Sequence, residues 1–596
     1  MGLSSTVEAT RTAPSKLRKL FSTKKANFLN GIQSKENFKD YIRTPGSRDD
    51  LKDSKWSWSN EDLLPTPPEK RSWGYWNYFF LYFSWSMDNW TLGSTMIGIG
   101  LNWWQSILVI FGSQMISSIF QAINSRCGAV YHIGYPVVSR SVFGMYGAYY
   151  VVFARAVLAV VYYAIKLYVG SSFVVNMLRA VFGSHFTDIP NHIATSTGFT
   201  TQQMLAFFLY WLIHIPFTLL RPNQLSWVFT LKMCTIPPAY IGLFIFCMAN
   251  TKGKMGNALP RSASVSSSEF SWFIMYAINA GIGNTANSIT NQPDYARWST
   301  DRWAVIIPQF IANPISVTIS STFGILATSA INNVWGLELW NQWDLLDEIM
   351  TRYWRPDVRF AVFLCAAAQA LLVLGTNIAA NMIPFGSDSS MLLPRYINIT
   401  RGQFLGLCLA WAVNPWKILY SATTFTNFLG GYGLFMAAVV GPTCVDYYLL
   451  TKGNVFIPEL YNGSKSNPYY HYTKGWNINA YVAYIAGISF PFAGFIGTLG
   501  AKGVSEVATN MGHIGWLLSY FVSAFVYYVM CMIFPTPVQR VVKERGLGWE
   551  SLSKQEPEFI EGLPEENESG LEKGEGMVRT QPVESSSELE ESKEIK

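Results

Sequence analysis

Asp88 and Lys166 are ionisable residues set inside stretches otherwise apolar enough to cross a bilayer. A charge at that depth is costly, and it is kept where it pairs, carries a proton or meets a ligand. Around Asp88 the run FFLYFSWSMDNWTLGS adds Ser84, Ser86 and Asn89. Apolar residues continue on both sides, which argues against a side chain that merely snorkels from a helix end. Lys166 shares the segment VVFARAVLAVVYYAIKLYVG with Arg155, and Tyr162 stands one turn before it on the same helix face, with Tyr163 beside it. An aromatic ring with a polar head one turn on suits a planar heterocycle, which stacks on the one and hydrogen-bonds the other. The bland alternative is a lysine reaching the interface among belt tyrosines.

Two further groups have the same character. LLVLGTNIAANMIP carries Gly375, Thr376, Asn377 and Asn381. Asn377 and Asn381 are one turn apart, and an amide offers the donors and acceptors that match the edge of a nucleobase or a hydantoin. Asparagine also serves as glue between membrane helices, so packing is the competing reading. Residues 270–297 open as an apolar helix, then place Gly281 and Gly283 amid Asn279, Asn284, Thr285, Asn287, Ser288, Thr290 and Asn291. A lipid-facing helix cannot hold so many amides, because each unmet polar group in hydrocarbon costs several kcal/mol. The pattern predicts a helix broken at mid-membrane, its polar residues lining a cavity.

The elements that must position these residues follow from composition. The 596 residues are 50% hydrophobic and only 14% charged, and apolar stretches of bilayer length recur along the chain. They fall at about 75–98, 103–123, 145–175, 203–220, 226–249, 269–290, 303–331, 359–383, 402–420, 424–450, 478–500 and 513–534, which predicts an all-α polytopic membrane protein of twelve spans. Residues 1–70 read as a basic tail, 71–538 as the membrane domain and 539–596 as a disordered acidic tail. Arg126, Arg140, Arg221, Arg297, Arg302, Arg395 and Arg401 lie in loops on the side of the termini, which places both termini in the cytoplasm. Lysines in both tails are candidate ubiquitin acceptors. The seven cysteines form no CxxC pair and the six histidines no metal spacing, so no metal or cofactor is expected. The spans hold no nucleophile–base pair, which excludes an enzyme, and the +6 charge gives no case for nucleic acid when the basic residues flank membrane spans.

NEDLLPTPPEKRSWGYWNY (60–78), GAVYHIGYPVVSRSVFG (128–144), GNTANSITNQPDYARW (283–298), GTNIAANMIPFGSDSSMLLPRYINITRG (375–402), NPWKIL (414–419) and GPTCVDYYLL (441–450) resemble the nucleobase–cation symporter family, in particular its fungal uracil, allantoin and uridine permeases. The resemblance covers roughly residues 60–540. It implies a leucine-transporter-like fold of two five-helix inverted repeats plus two C-terminal helices. It also implies secondary active uptake of a nucleobase, nucleoside, allantoin or related heterocycle across the plasma membrane, coupled to protons or sodium. By position, Asn381 matches the family's substrate asparagine, with Asn377 one turn before it. Tyr162 falls where a tryptophan usually stacks, Lys166 where a glutamine reads the ring edge, and Asn284 and Thr285 where the family has a small residue and then an aromatic. Gly375 and Thr376 fall in the coupling-ion region, to which Asp88 adds a titratable group. Leu372, one turn before Thr376, brings bulk where sodium needs an exposed carbonyl, so protons are the expected coupling ion. The departures at 162, 166 and 285 remake the pocket and open it to an anionic or bulkier substrate. Two other readings share the fold: a sensor that binds without transporting, and a carrier of a vitamin such as thiamine or nicotinamide riboside.

Overall fold

The structure, a computed structural model, describes residues 42–44, 58–220, 226–254 and 266–554. The lysines of the two tails that read as ubiquitin acceptors lie almost wholly outside these residues, as does the acidic stretch after 554. The first span is two helices, α1 (Tyr75–Ser86) and α2 (Trp90–Gly98). Next come α3 (Trp103–Tyr131), the short α4 (Tyr135–Phe143), α5 (Gly147–Phe182), α6 (Thr201–Thr218) and α7 (Ser226–Thr251). Then follow α8 (Ser267–Thr290), the short α9 (Gln292–Ala296), α10 (Ile306–Trp335) and the amphipathic α11 (Gln342–Arg352). The eighth span starts as α12 (Pro356–Asn377), passes through one π turn at Ile378–Met382 and ends as α13 (Ile383–Leu392). The chain closes with α14 (Ile399–Leu409), α15 (Ala422–Val445), α16 (Ile478–Thr498), α17 (Glu506–His513), α18 (Gly515–Ile533) and α19 (Pro537–Glu544). Helices occupy every apolar segment expected from the sequence, and among the described residues eight are long and apolar enough to cross a membrane.

The break between α1 and α2 frees backbone carbonyls where no water is at hand, so each needs a partner from the protein. Asn89 donates its amide to Ser86 O at 2.7 Å, and Tyr240 of α7 donates its hydroxyl to Met87 O at 2.8 Å. Lys166 of α5 reaches Asp88 O at 3.5 Å, and Ser321 of α10 donates to Asn89 O at 2.9 Å. Three surrounding helices, together with Asn89 of the break itself, therefore hold one interrupted helix open.

The expected break in the sixth span is not found. The α8 helix runs unbroken through Gly281 and Gly283 and interrupts only at Asn291. Its glycines serve close approach: a Cβ on Gly283 would collide with the Leu429 carbonyl of α15, and one on Gly281 with the Ser113 hydroxyl of α3. Its amides bond to neighbouring helices, as when Asn279 accepts from Trp516 N–H at 2.8 Å and Thr285 donates to Ser117 at 2.8 Å. The ninth span also departs from expectation, its α-helix stopping at Leu409 and giving way to 3₁₀ turns.

The boundaries drawn at 70 and 538 fall inside folded structure. Residues 58–66 are clasped by Arg297, which donates to Asp62 O and Leu64 O, both at 2.6 Å, and to the Thr66 hydroxyl at 2.8 Å. On the other side, buried Glu550 accepts two hydrogen bonds from Arg126, at 2.8 and 2.9 Å, and one from the Tyr447 hydroxyl at 3.0 Å. The folded body thus reaches Lys554.

Candidate substrate site

Around the α1–α2 break meet α3, the middle of α5, α8 with the start of α9, α10, and the end of α12 with the π turn that follows it. They enclose a narrow polar cavity of about 60 Å³. Asp88, Tyr162, Lys166, Asn284, Thr285, Thr376 and Asn381, read separately from the sequence, all line it. Lys166 Nζ sits 2.9 Å from Asp88 Oδ2, a salt bridge between α5 and the broken first span. The Tyr162 ring shares the aromatic wall with Tyr82 and Trp85 and packs against Phe428 and Tyr432 of α15, at centroid distances of 5.4 and 5.1 Å. The π turn carries Asn381. Such turns insert a residue and re-aim the side chains after it, and they recur at functional sites.

The other expected residues stand behind the wall. Asn377 is buried, donates to Tyr163 O at 3.0 Å and accepts from Asn381 Nδ2 at 2.8 Å, so it positions Asn381 without lining the cavity. Leu372 is fully buried, and Gly375 packs on the stem of Lys232, whose Cδ would lie 2.6 Å from a Cβ at that position. Lys232 itself escaped the sequence reading. Its Nζ donates to the Thr376 hydroxyl at 2.9 Å with the side chain 1% exposed. It is an ionisable residue inside a span and meets the rule that exposed Asp88.

Arg155, which shares its segment with Lys166, forms a second buried charge cluster with residues of α9 and α13. Its guanidinium pairs with Asp388 of α13, with Nε 2.9 Å from both carboxylate oxygens, and with Asp294 of α9 at 2.9 Å. The Tyr135 ring covers it with its centroid 4.2 Å from Cζ. Asp294 in turn accepts from Tyr135 N–H and the Ser387 hydroxyl, both at 3.0 Å.

Recesses also lie elsewhere in the bundle. One, about 770 Å³ between α7 and α12, is walled almost wholly by carbon and offers little to orient a polar ring. The second, about 320 Å³ near α11, includes Asp344, whose carboxyl burial pushes up to about 6. The central cavity differs from both in lying at the interrupted helix, with a lysine, a carboxylate and several amides on its wall.

Residues 65–519 match the family described as "Permease for cytosine/purines, uracil, thiamine, allantoin". The chain is 35% identical to the allantoin permease of Saccharomyces cerevisiae over 496 residues, 82% of this chain and 78% of the relative. It belongs to that family. The uridine and uracil permeases of the same yeast are 32% and 30% identical, over 80% and 82% of this chain and 75% and 78% of their own lengths. Among solved structures, the inward-facing conformation of Mhp1 superposes with a TM-score of 0.63 at 17% identity, covering 86% of this chain and 99% of that one. The closed conformation of Mhp1, with bromovinylhydantoin bound, gives 0.62 at 16% identity, over 84% and 100%. The permease is therefore an integral, multi-pass membrane transporter with the leucine-transporter-like fold, and not an enzyme.

Proposed function

We propose that the permease carries a nucleobase, nucleoside, ureide or related heterocycle into the cell by cotransport with protons, in the plasma membrane with both termini cytoplasmic. The observation that carries the reading is the central cavity, which gathers Asp88, Tyr162, Lys166, Asn284, Thr285 and Asn381 around one space at the interrupted helix. The named substrates of the yeast relatives, allantoin, uracil and uridine, are planar ring compounds with amide-like edges, the chemistry that asparagines and an aromatic wall recognise. Asn381 takes the role of substrate asparagine. Asn381→Ala is expected to lower substrate affinity about tenfold to over a hundredfold, the equivalent of ~1–3 kcal/mol for one lost buried hydrogen bond, with normal surface level. Uptake kinetics with wild-type affinity in that variant would remove Asn381 from the site.

Coupling to protons rests on Lys232 and Asp88. The Lys232 amine stands beside Thr376, in the region where the resemblance places the coupling ion, and a lysine there competes with a bound metal cation for the same oxygens. Asp88, at the break, is the carboxyl group on the cavity wall. Replacing external sodium with potassium at constant pH is expected to leave uptake intact, whereas a protonophore collapses it. The reverse pattern would assign the coupling to sodium and strip Asp88 of its role. Binding without any accumulation of radiolabel would instead make the protein a sensor.

A further inference from the structure

The recess near α11 has a chemistry of its own. Its walls come from the second half of α5, the start of α6 and the segment before it, the first turns of α11, and the turns after α14. Ser172, on that wall, stands about 9 Å further along α5 than Lys166, at the helical rise per residue. The recess and the central cavity thus occupy successive levels of one helix. Rings line it, and their neighbours hold them in place. Trp343 lies edge-on to Tyr168 and Phe173, with centroids 6.5 and 6.1 Å away, and Trp416 stacks on Phe199 at 4.3 Å. Tyr420, 81% exposed, adds a ring from the turns after α14.

Asp344 sets a carboxylate among these rings. Its Oδ2 accepts from Asn341 Nδ2 at 3.0 Å, and among the described residues no lysine, arginine or histidine lines the recess. The neighbouring carboxylate, Asp347, is already paired with Arg179 of α5. Donating to Asp344 fixes the Asn341 amide and leaves its oxygen as an acceptor. That Oδ1 is buried without a hydrogen-bond partner, in a residue only 7% exposed. A buried acceptor with no donor and a carboxylate with no cation both favour a positively charged group bearing N–H. The surrounding rings favour one that is flat, because a cation is drawn to an aromatic face.

We propose that this recess is a second ligand site, separate from the central cavity, for a planar organic cation with N–H donors, an aryl amidinium or guanidinium. Asp344 meets the charge, Asn341 Oδ1 takes an N–H, and Tyr168, Trp343, Trp416 and Tyr420 supply the aromatic walls. The central cavity gives a cation no such place, since Lys166 already holds Asp88 there. With both termini cytoplasmic, as proposed above, this end of α5 faces outward and the recess is reached from the external medium. Only its sidedness rests on that reading.

The test titrates the purified full chain in detergent calorimetrically, at about pH 8, where carboxyl groups are ionised. The probes are benzamidine, an aryl amidinium, and benzamide, its neutral isostere. Benzamidine is expected to bind at a single site, with benzamide about tenfold to over a hundredfold weaker for want of the charged hydrogen bond. Asp344→Asn is expected to erase that difference. Tyr420→Ala, at an exposed ring, is expected to weaken benzamidine about two- to fivefold. The combined Asp88→Asn and Lys166→Gln variant, altered only in the central cavity, is expected to bind like the wild type. A benzamidine preference that survives Asp344→Asn, or that vanishes in the central double variant, overturns the site. Monodisperse wild-type protein that binds no benzamidine overturns it as well. Where Asp344→Asn lowers the folded fraction, Tyr420→Ala decides, and wild-type affinity there overturns the site. Binding to purified protein involves no transport, so the transport reading stands or falls on its own uptake assays.

Discussion

Arg155→Leu is expected to remove almost all folded permease from the membrane. Arg155 is 1% exposed, and its two carboxylate partners Asp388 and Asp294 are 0% and 2% exposed. Losing one partner of a buried ion pair costs about 3–5 kcal/mol, because the remaining charge is left without compensation. Here a single substitution strands two carboxylates that face the same space, so their repulsion adds to their desolvation. Against a total stability of about 5–15 kcal/mol, a loss of this size leaves little margin. Three elements come loose at once, since the guanidinium also lies 3.4 Å from Thr290 O at the end of α8. The measurement is the monodisperse fraction and melting temperature of a fluorescent fusion in detergent. Adding Asp388→Asn and Asp294→Asn to Arg155→Leu removes the stranded charges and is expected to recover much of the folded fraction. A wild-type melting temperature for Arg155→Leu alone would show that the cluster carries no structural weight.

The contrast between Asp88 and Asp388 explains how far the sequence could be read. Asp88 stood out because apolar residues flank it on both sides, and the cost of an ionisable group at that depth is a local property of the sequence. The same holds for Lys166 and Asn381, and the structure brings all three to one cavity. Asp388 fell beyond the end assigned to its span at 383, because the helix continues through a π turn to Leu392, and a π turn leaves little trace in hydropathy. The sixth span was misread for a non-local reason. Glycine serves either an unwound backbone or a close contact, and which one applies at Gly283 is decided by the Leu429 carbonyl on α15, far along the chain. Its asparagines likewise report the neighbouring helices they bond rather than a broken backbone. Lys232 was legible by the rule applied to Asp88, and only its partner, Thr376, required the fold.

Separately replacing Asp88 with asparagine and Lys166 with glutamine is expected to cut uptake sharply, and combining the two is expected to restore part of it. The charges lie 2.9 Å apart across the break in the first span, with Lys166 and Asp88 24% and 12% exposed toward the cavity. An unpaired charge inside a span costs about 2.5–3.5 kcal/mol on insertion scales, so each single variant leaves one such charge behind. The double variant leaves none, and asparagine and glutamine keep a hydrogen bond across the same gap. A double-mutant cycle on surface level and uptake then yields a coupling energy of about 0.5–3 kcal/mol between residues in contact. Recovery should be incomplete in an informative way. If Asp88 carries the coupled proton, the double variant regains surface level and equilibrates substrate across the membrane but no longer concentrates it against a gradient. A protonophore, which collapses accumulation in the wild type, should leave the double variant unchanged. Losses that simply add in the cycle would show that the two residues act independently, with Lys166 serving the substrate alone.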